Sequence, residues 1–290
     1  MPSVTQPSGG KLIYREIGSG APLILVHGSP GDGRAWWRVA ERLAERHRVL
    51  MPDLPGYGGS DPLAVEALGQ TEAIGAAVKV LIESCGTPVR LCGHSYGGNV
   101  ALHAAVKCAD SVLSLALFEP VFFRAMDLAG DGPDIEPLSG FFADYADRVA
   151  GFEPAAISEM IDYWFGSGAF VLLPARVQGF LRDAAPKNAF DVSASLAEQL
   201  TIDQLAGLTM PVIVAYGSES PSVAPSIAKA VRFLPQARLE AILGANHGML
   251  DSHPEAVVNL ILAPNSCSSN QKSPDTRHRT NGLQRERDRQ

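Results

Sequence analysis

Short, largely apolar runs alternate with amphipathic stretches along most of the chain. The apolar runs are typical of strands buried on both faces of a sheet, and they predict strands at residues 23–26, 48–51, 89–92, 112–118, 212–216 and 239–243. The stretches between them have apolar residues at helical spacing, which predicts helices at residues 35–44, 65–84, 99–107, 222–233 and 254–262. A weakly alternating stretch at residues 12–17 predicts an edge strand or a hairpin. This order predicts an α/β fold, with a mostly parallel central sheet and helices on both faces.

The alternation stops after the strand predicted at residues 112–118 and resumes only at residue 211. The intervening segment has aromatic, helix-like stretches broken by glycine and proline, and it predicts helices at residues 141–149, 155–165, 169–181 and 193–205. Such a long insertion between neighbouring strands is typical of a helical cap over the end of the sheet, where the loops that form a pocket lie.

The pattern therefore divides the chain into three parts. We expect a core domain at residues 1–120 and 208–263, a helical cap at residues 121–207 and a polar tail at residues 264–290. The tail is rich in Ser, Asn, Gln and Arg and has almost no apolar residues. Because it cannot bury enough surface to fold, it is predicted to be disordered.

Composition narrows the classes of partner. The formal net charge of -7 and the isoelectric point of about 5.5 disfavour a nucleic acid or an anionic membrane, since both require a concentrated basic face. Cys85, Cys92, Cys108 and Cys267 have no paired spacing and are interpreted as reduced thiols, and no metal or other cofactor is expected. No segment has the apolar character of a signal peptide or a membrane span. We expect a cytoplasmic enzyme with a small-molecule substrate, and the oligomeric state stays open.

The stretch Gly93-His94-Ser95-Tyr96-Gly97 has the pattern G-x-S-x-G. It lies between a predicted strand at residues 89–92 and a predicted helix at residues 99–107, which is the context of a nucleophile elbow. Glycines suit such a tight turn because it leaves no room for a Cβ on either side of the serine. Without the flanking elements the pattern would indicate an ordinary glycine-rich turn. With them it makes Ser95 the candidate nucleophile.

A candidate base for Ser95 follows the last predicted strand. A serine hydroxyl becomes nucleophilic when a base takes its proton, and that base needs an orienting acid. His247 lies in the glycine-flanked loop Gly244-Ala245-Asn246-His247-Gly248, from which its side chain can reach the elbow. His253 stands beside Pro254 at a predicted helix start, a position typical of a cap or a surface residue. His247 is therefore the predicted base.

Three motifs occur together in the order His27-Gly28-Ser29-Pro30-Gly31, Asp53-Leu54-Pro55-Gly56-Tyr57-Gly58-Gly59-Ser60 and Gly93-His94-Ser95-Tyr96-Gly97-Gly98. In this order and spacing the chain resembles the α/β-hydrolase superfamily over about residues 10–262, in its branch with a serine nucleophile and a helical cap. The resemblance implies an oxyanion hole formed by the backbone N–H groups of Ser29 and Tyr96. Losing one such donor costs about 3 kcal/mol of transition-state stabilisation. The middle motif is interpreted as a structural turn.

The chain departs from this family's pattern at the orienting acid. Similar proteins commonly have an aspartate where Gly217-Ser218-Glu219-Ser220 places Ser220. Two carboxylates are candidates for the missing acid. Glu119 directly follows the strand predicted at residues 112–118, a position that some relatives use, and Glu219 is adjacent to the vacant position. Glu119 is favoured because a strand end supplies the fixed geometry that an orienting acid requires.

Aromatic residues near these motifs are candidates for a substrate pocket. Trp36 and Trp37 shortly follow the expected oxyanion loop, and Phe122, Phe123 and Trp164 belong to the expected cap. Helix packing is the alternative role for each of them. An aromatic-rich cap predicts a mainly apolar pocket and an apolar substrate.

The residue at the elbow limits the chemistry. In the families that this chain resembles, epoxide hydrolysis and dehalogenation go with an aspartate at the elbow. Ser95 therefore disfavours these reactions and favours acyl transfer to water. The leading hypothesis is a serine hydrolase that cleaves a carboxylic ester or a lactone through an acyl-enzyme. A carbon–carbon bond hydrolase or a perhydrolase, similar to cofactor-free haloperoxidases, would use the same triad. A non-catalytic ligand-binding protein of the same fold is a third hypothesis, supported only by the missing aspartate.

Overall fold

The structure is a computed structural model that describes residues 1–64, 69–130 and 136–263. The tail predicted at residues 264–290 lies outside the described residues, as do residues 65–68 at the start of the helix predicted at residues 65–84. Among the helices that are described, none combines the length and the apolarity needed to cross a membrane.

Within these ranges, eight strands form one sheet. They are β1 (Ser3–Thr5), β2 (Lys11–Ile17), β3 (Ala21–Val26), β4 (His47–Pro52), β5 (Val89–His94), β6 (Val112–Phe118), β7 (Val212–Gly217) and β8 (Ala237–Ile242). Their order is β1-β2-β4-β3-β5-β6-β7-β8, and only the pairs β1 with β2 and β2 with β4 are antiparallel among the described strands. The predicted mostly parallel sheet is confirmed, with β2 in the antiparallel edge.

The described α-helices are α1 (Trp37–Leu43), α2 (Gln70–Ser84), α3 (Tyr96–Lys107), α4 (Arg124–Ala129), α5 (Glu136–Ala150), α6 (Ala156–Phe165), α7 (Ala169–Leu172), α8 (Ala175–Leu196), α9 (Ile202–Ala206), α10 (Val223–Ala230), α11 (Met249–Ser252) and α12 (Pro254–Leu262). Helices α4 to α9 lie between β6 and β7, where the cap is predicted. The exact division of the chain into core and cap at residues 120 and 208 stays a prediction.

Strand β3 shows why helices cover both faces of the sheet. Leu23 and Leu25 contribute to a core that includes α1 and α12, whereas Ile24 and Val26 contribute to a second core with α2 and α3. Successive side chains of a strand point to opposite faces. A strand that is apolar at every position is therefore stable only between two layers of helices.

Two helices predicted between β6 and β7 have the wrong bounds. In place of helices at residues 169–181 and 193–205, the structure has the short α7, then α8, which is 22 residues long and contains Pro186, and then the short α9. Pro174 has an extended ψ of 143° directly before α8, so α7 and α8 are separate. Burial of the α8 residues Leu181, Ala185 and Ala189 stabilises the turns around Pro186, although proline removes one helical hydrogen bond.

Candidate active site

Ser95 lies in the sharp turn between β5 and α3. Its backbone has φ 54° and ψ -126°, a strained conformation that persists where the surrounding structure enforces it. A Cβ on Gly93 would lie 2.3 Å from the carbonyl oxygen of Gly97, and a Cβ on Gly97 would lie 2.3 Å from the carbonyl oxygen of His27. Glycine is therefore required at both positions, because any side chain would collide with backbone atoms.

Three side chains from distant parts of the chain form one hydrogen-bonded series. Ser95 Oγ lies 3.0 Å from His247 Nε2, and His247 Nδ1 lies 2.5 Å from Glu119 Oε2. All three residues are buried, with exposed fractions of 7% for Ser95, 4% for His247 and 1% for Glu119. Because an ionised carboxylate only accepts hydrogen bonds, His247 donates from Nδ1 and leaves Nε2 free to accept the serine proton. This is the tautomer that a general base for serine needs.

Glu119 is held firmly at the end of β6. Its backbone is in the left-handed region with φ 46°. Its Oε1 accepts hydrogen bonds from the Gly217 amide at 2.6 Å and from the Ser220 hydroxyl at 2.5 Å. Burial by itself raises the pKa of this carboxyl, but the hydrogen bonds from His247, Ser220 and Gly217 outweigh it, so the pKa of Glu119 lies below its usual value. Glu119 is therefore ionised at neutral pH.

The residue at the position of the missing aspartate supports Glu119. Ser220, which occupies it, donates its hydroxyl proton to Glu119. An aspartate there would instead face the Glu119 carboxylate and repel it. Glu219, the alternative acid, is exposed to solvent. The structure thus places Glu119, and not Glu219, against His247.

Two further histidines order the backbone of the site. His94 Nε2 lies 2.9 Å from the carbonyl oxygen of His247, and burial lowers the pKa of His94 to about 3, so a neutral ring donates to that carbonyl. His27 Nε2 accepts the Leu54 amide at 2.8 Å, which leaves His27 Nδ1 to donate to the carbonyl oxygen of Gly28 at 2.7 Å. Each ring fixes a loop that borders Ser95.

The loop expected to form the oxyanion hole packs directly against the elbow. A Cβ on Gly28 would lie 2.9 Å from Ser95 Cβ. The next residue, Ser29, lines the same pocket as Ser95 and Tyr96. Tyr96 is the first residue of α3, and the amides of a first helical turn have no partner within their own helix and favour negative charge.

A pocket of about 460 Å³ opens above Ser95. Most of its wall is apolar and comes from the segment between β6 and β7, which contributes Phe142, Met160, Ile161, Trp164, Phe165, Ala169, Leu173, Val177, Phe180, Leu181 and Val192. A smaller polar part contains Ser29, Asn188, Asp191 and Ser195. A concave site of this size and character suits a small molecule with an apolar body.

Only some of the aromatic residues predicted to line the pocket do so. Phe123 and Trp164 lie in its wall, whereas Trp36, Trp37 and Phe122 do not, which corrects the expectation for these three. Trp36 is fully buried against an aromatic side chain of β6 in the core of α1 and α12. Trp37 is 41% exposed, and Phe122 is fully buried in the other core. Adjacent residues on a turn of helix or a bend face different ways, and the sequence pattern did not indicate which way.

Trp164 connects α6 to the candidate base. Its ring stacks on the ring of His247, with centroids 4.4 Å apart and planes inclined by 28°. The Phe165 ring approaches His247 edge-on, with ring centroids 5.6 Å apart. The side-chain Nδ2 of Asn246 donates to the Phe165 carbonyl oxygen at 3.2 Å. The carboxyl end of α6 therefore covers the loop that carries His247 and shields its ring from water.

Sequence reasoning missed the polar part of the pocket. Asn188 and Asp191 of α8 are 3% and 1% exposed and belong to no motif. Their spacing, with Lys187 four residues before Asp191, places all three on one face of a helix. The same spacing is common on solvated helices, so it did not distinguish a buried cluster from an exposed one.

A second, smaller cavity of about 310 Å³ lies between α2, α3 and α8 and contains none of the groups around Ser95. Its wall includes His103 and Glu198, whose Nε2 and Oε2 atoms are 2.7 Å apart. In the described ranges, His, Cys, Asp and Glu side chains form no group of three or more that could hold a metal ion.

The sheet order and the serine elbow define the class of α/β hydrolases. A model of the alpha/beta hydrolase family matches residues 23–260, and the chain belongs to this family. It is an α/β-hydrolase enzyme, similar to proteins named as esterases and peroxidases.

Two curated relatives cover most of the chain. The non-heme chloroperoxidase of Streptomyces lividans is 28% identical over 289 residues, which covers 91% of this chain and 99% of that protein. The pimeloyl-[acyl-carrier protein] methyl ester esterase of Nitrosomonas europaea is 27% identical and covers 83% of this chain and 94% of that protein. Among solved structures, a thermophilic esterase from Thermogutta terrifontis has a TM-score of 0.69 and 28% identity, covering 90% of this chain and 96% of that one.

Proposed function

We propose that the protein is a serine hydrolase that cleaves a carboxylic ester or a lactone of a small apolar molecule through an acyl-enzyme. The observation that carries this proposal is the series Ser95–His247–Glu119 beside a mainly apolar pocket. The esterases among the relatives support it. A small-molecule partner and a cytoplasmic location stay predictions.

The proposed reaction uses each group in a defined role. Ser95 Oγ attacks the carbonyl carbon while His247 Nε2 takes the hydroxyl proton, and Glu119 orients the imidazole and stabilises its positive charge. The amides of Ser29 and Tyr96 bind the oxyanion of the tetrahedral intermediate. His247 then gives the proton to the leaving alcohol oxygen, and the acyl-enzyme forms. A water molecule activated by His247 releases the acid and restores Ser95.

The charges around the pocket favour an uncharged acyl group. Asp191 and Asp251 both line it, and their cationic neighbours Lys187 and Arg38 are already ion-paired with them. A carboxylate on the acyl chain would lose its hydration against the apolar wall without gaining a free cation among the described lining residues. We therefore infer that the substrate's acyl part is neutral and apolar.

A series of p-nitrophenyl esters tests this proposal. From acetate through butanoate to hexanoate, kcat/KM is expected to rise by about fourfold per methylene, because each buried methylene contributes about 0.8 kcal/mol. The matched comparison is the hemisuccinate ester, whose chain is close in length to butanoate but carries a carboxylate. Its kcat/KM is expected to be lower than that of the butanoate. A preference for acetate or for hemisuccinate would contradict the proposed substrate class.

Perhydrolysis is a second candidate, favoured by the likeness to the chloroperoxidase. Hydrogen peroxide would take the place of water and attack the acyl-enzyme, giving a peracid and free Ser95. With butanoate ester and millimolar peroxide, the measured ratio of peracid to acid reports this partition, and Ser95→Ala is expected to remove both products. A ratio no higher than that of the uncatalysed mixture would exclude this activity for the site.

The non-catalytic hypothesis has lost its only support. It depended on the missing aspartate, and the carboxylate of Glu119, directly after β6, is buried and lies within hydrogen-bonding distance of His247. No observation favours carbon–carbon bond hydrolysis over ester hydrolysis.

A further inference from the structure

A series of polar side chains, buried except for the half-buried Ser29, connects α8 to the loop after β3. Tyr57 lies at its centre, with its hydroxyl oxygen 2.6 Å from Ser29 Oγ and 2.7 Å from Asp191 Oδ2. Asn188 Nδ2 lies 3.0 Å from Ser29 Oγ, and Asn188 Oδ1 lies 2.6 Å from the hydroxyl of Tyr145. The series therefore runs through side chains of α5, α8, the loop after β4 and the loop after β3.

The carboxylate of Asp191 sets the direction of every hydrogen bond in this series. A carboxylate only accepts, so the single proton of the Tyr57 hydroxyl points to Asp191. Ser29 must then donate to Tyr57, and the amide of Asn188 donates to Ser29. Burial and the charge of Asp191 raise the pKa of Tyr57 well above its usual value, so Tyr57 keeps this proton.

Asp191 is itself held in place from two further directions. Its Oδ1 accepts a hydrogen bond from Gln70 Nε2 at 2.6 Å and forms an ion pair with Lys187. Lys187 Nζ also lies 4.8 Å from the centre of the Tyr57 ring, within the range of a cation–π contact. Asp191 is 1% exposed, so its charge acts in surroundings with little water and orders its neighbours strongly.

The series includes Ser29, the residue whose backbone amide is assigned to the oxyanion hole. Ser29 has its side chain fixed by Tyr57 and Asn188, and the preceding Gly28 packs against Ser95. An oxyanion donor contributes most when it is already in position before the reaction, since no reorganisation is then needed as charge develops. A group that fixes Ser29 therefore acts on the transition state more than on the bound substrate.

We propose that Asp191 and Tyr57 are positioning residues for the oxyanion hole. Asp191 of α8 holds the Tyr57 hydroxyl, and Tyr57 in turn holds the Ser29 side chain. This inference rests on the proposed acyl transfer and adds a role for α8 to it. The helix supplies part of the substrate pocket and also the carboxylate that orients an oxyanion donor. Neither residue needs to touch the substrate for this effect.

Tyr57→Phe tests the inference, because it removes the hydroxyl and keeps the ring. With p-nitrophenyl butanoate, kcat is expected to fall about tenfold or more while KM changes less than about threefold, since loss of an entire donor costs 10²- to 10³-fold. Inhibition by butylboronic acid, whose tetrahedral adduct with Ser95 places an oxygen in the oxyanion hole, is expected to weaken by a similar factor. Asp191→Asn is expected to give the same pattern, because an amide can no longer accept from both sides.

Tyr14→Phe is the matched control, since Tyr14 is a buried tyrosine of β2 outside the pocket. It is expected to keep wild-type kinetics, and thermal unfolding is measured for all variants. A Tyr57→Phe enzyme that matches Tyr14→Phe in kcat and in boronic-acid affinity would overturn the positioning role, as would a rise in KM with kcat unchanged. If the wild type neither hydrolyses any ester of the series nor reacts with a fluorophosphonate, the proposed function fails and this inference fails with it.

Discussion

Ester hydrolysis by Ser95→Ala is expected to fall at least about 10⁴-fold below the wild type, because no other group can form the acyl-enzyme. A fluorophosphonate probe is expected to label the wild type at Ser95 and to leave the variant unlabelled. Ser95 is 7% exposed and its hydroxyl lies 3.0 Å from His247 Nε2, so the substitution removes one atom from an ordered site. Fluorescence of the labelled band and kcat/KM with p-nitrophenyl butanoate are the two measurements.

Ser226→Ala is the control for this experiment. Ser226 of α10 donates to the carbonyl oxygen of Ser222, directly before that helix, and lies outside the pocket, so its replacement is expected to change neither labelling nor turnover. Labelling that persists in Ser95→Ala, or activity within about tenfold of the wild type, would show that Ser95 is not the nucleophile.

Replacing Glu119 by glutamine is expected to lower kcat by about 10³- to 10⁴-fold. The Oε1 atom would still accept from Gly217 and Ser220, so the amide nitrogen would face His247 Nδ1. An N–H in that place donates to Nδ1 and forces the ring proton onto Nε2. In this tautomer Nε2 can no longer accept the serine proton, so His247 cannot act as the base. Steady-state kinetics with p-nitrophenyl butanoate measure the loss.

Glu219→Gln is the matched control for Glu119→Gln. Glu219 is exposed and lies two residues from Gly217, so its replacement tests charge near the site without touching the hydrogen bonds of His247. It is expected to keep kcat within about threefold of the wild type, as exposed substitutions have small effects. Loss of activity in Glu219→Gln, with Glu119→Gln active, would assign the acid to Glu219.

The same pair of variants has an expected effect on stability. The pKa of Glu119 is lowered in the folded protein, so the ionised carboxylate stabilises the fold at pH values above the pKa of an unfolded glutamate. That contribution is lost as the pH falls through the lower, folded-state pKa. The difference in unfolding temperature between wild type and Glu119→Gln is therefore expected to narrow on acidification, whereas Glu219→Gln is expected to follow the wild type at each pH.

Local sequence patterns predicted the structure correctly where neighbouring residues determine it. The apolar run of β6 predicted a buried strand with the observed bounds, Val112–Phe118, and the glycines around Ser95 predicted a tight turn. Both follow from short-range sterics and from the period of a strand. The helices at residues 169–181 and 193–205 were misplaced because burial, and not local propensity, keeps α8 continuous through Pro186.

The pattern of apolar and polar residues did not predict which way individual side chains point. Trp36 and Trp164 are both tryptophans near predicted loops, yet Trp36 is buried in the core that includes α1 and α12, and Trp164 stacks on His247. Phe122 and Phe123 are neighbours, and only Phe123 faces the pocket. Which face of a short helix or bend is buried depends on what packs against it, and those partners lie far away in the chain.

The sequence by itself determined the α/β fold, the family and the candidate pair of Ser95 and His247, because strand and helix periods, the elbow glycines and the motif order are properties of neighbouring residues. Only the tertiary structure decided that Glu119 faces His247, that Ser220 supports it, and that Asp191 reaches Ser29 through Tyr57. These contacts join residues about 100 or more positions apart in three of the four cases. Their geometry is set by how the strands and helices pack together, which no local pattern encodes.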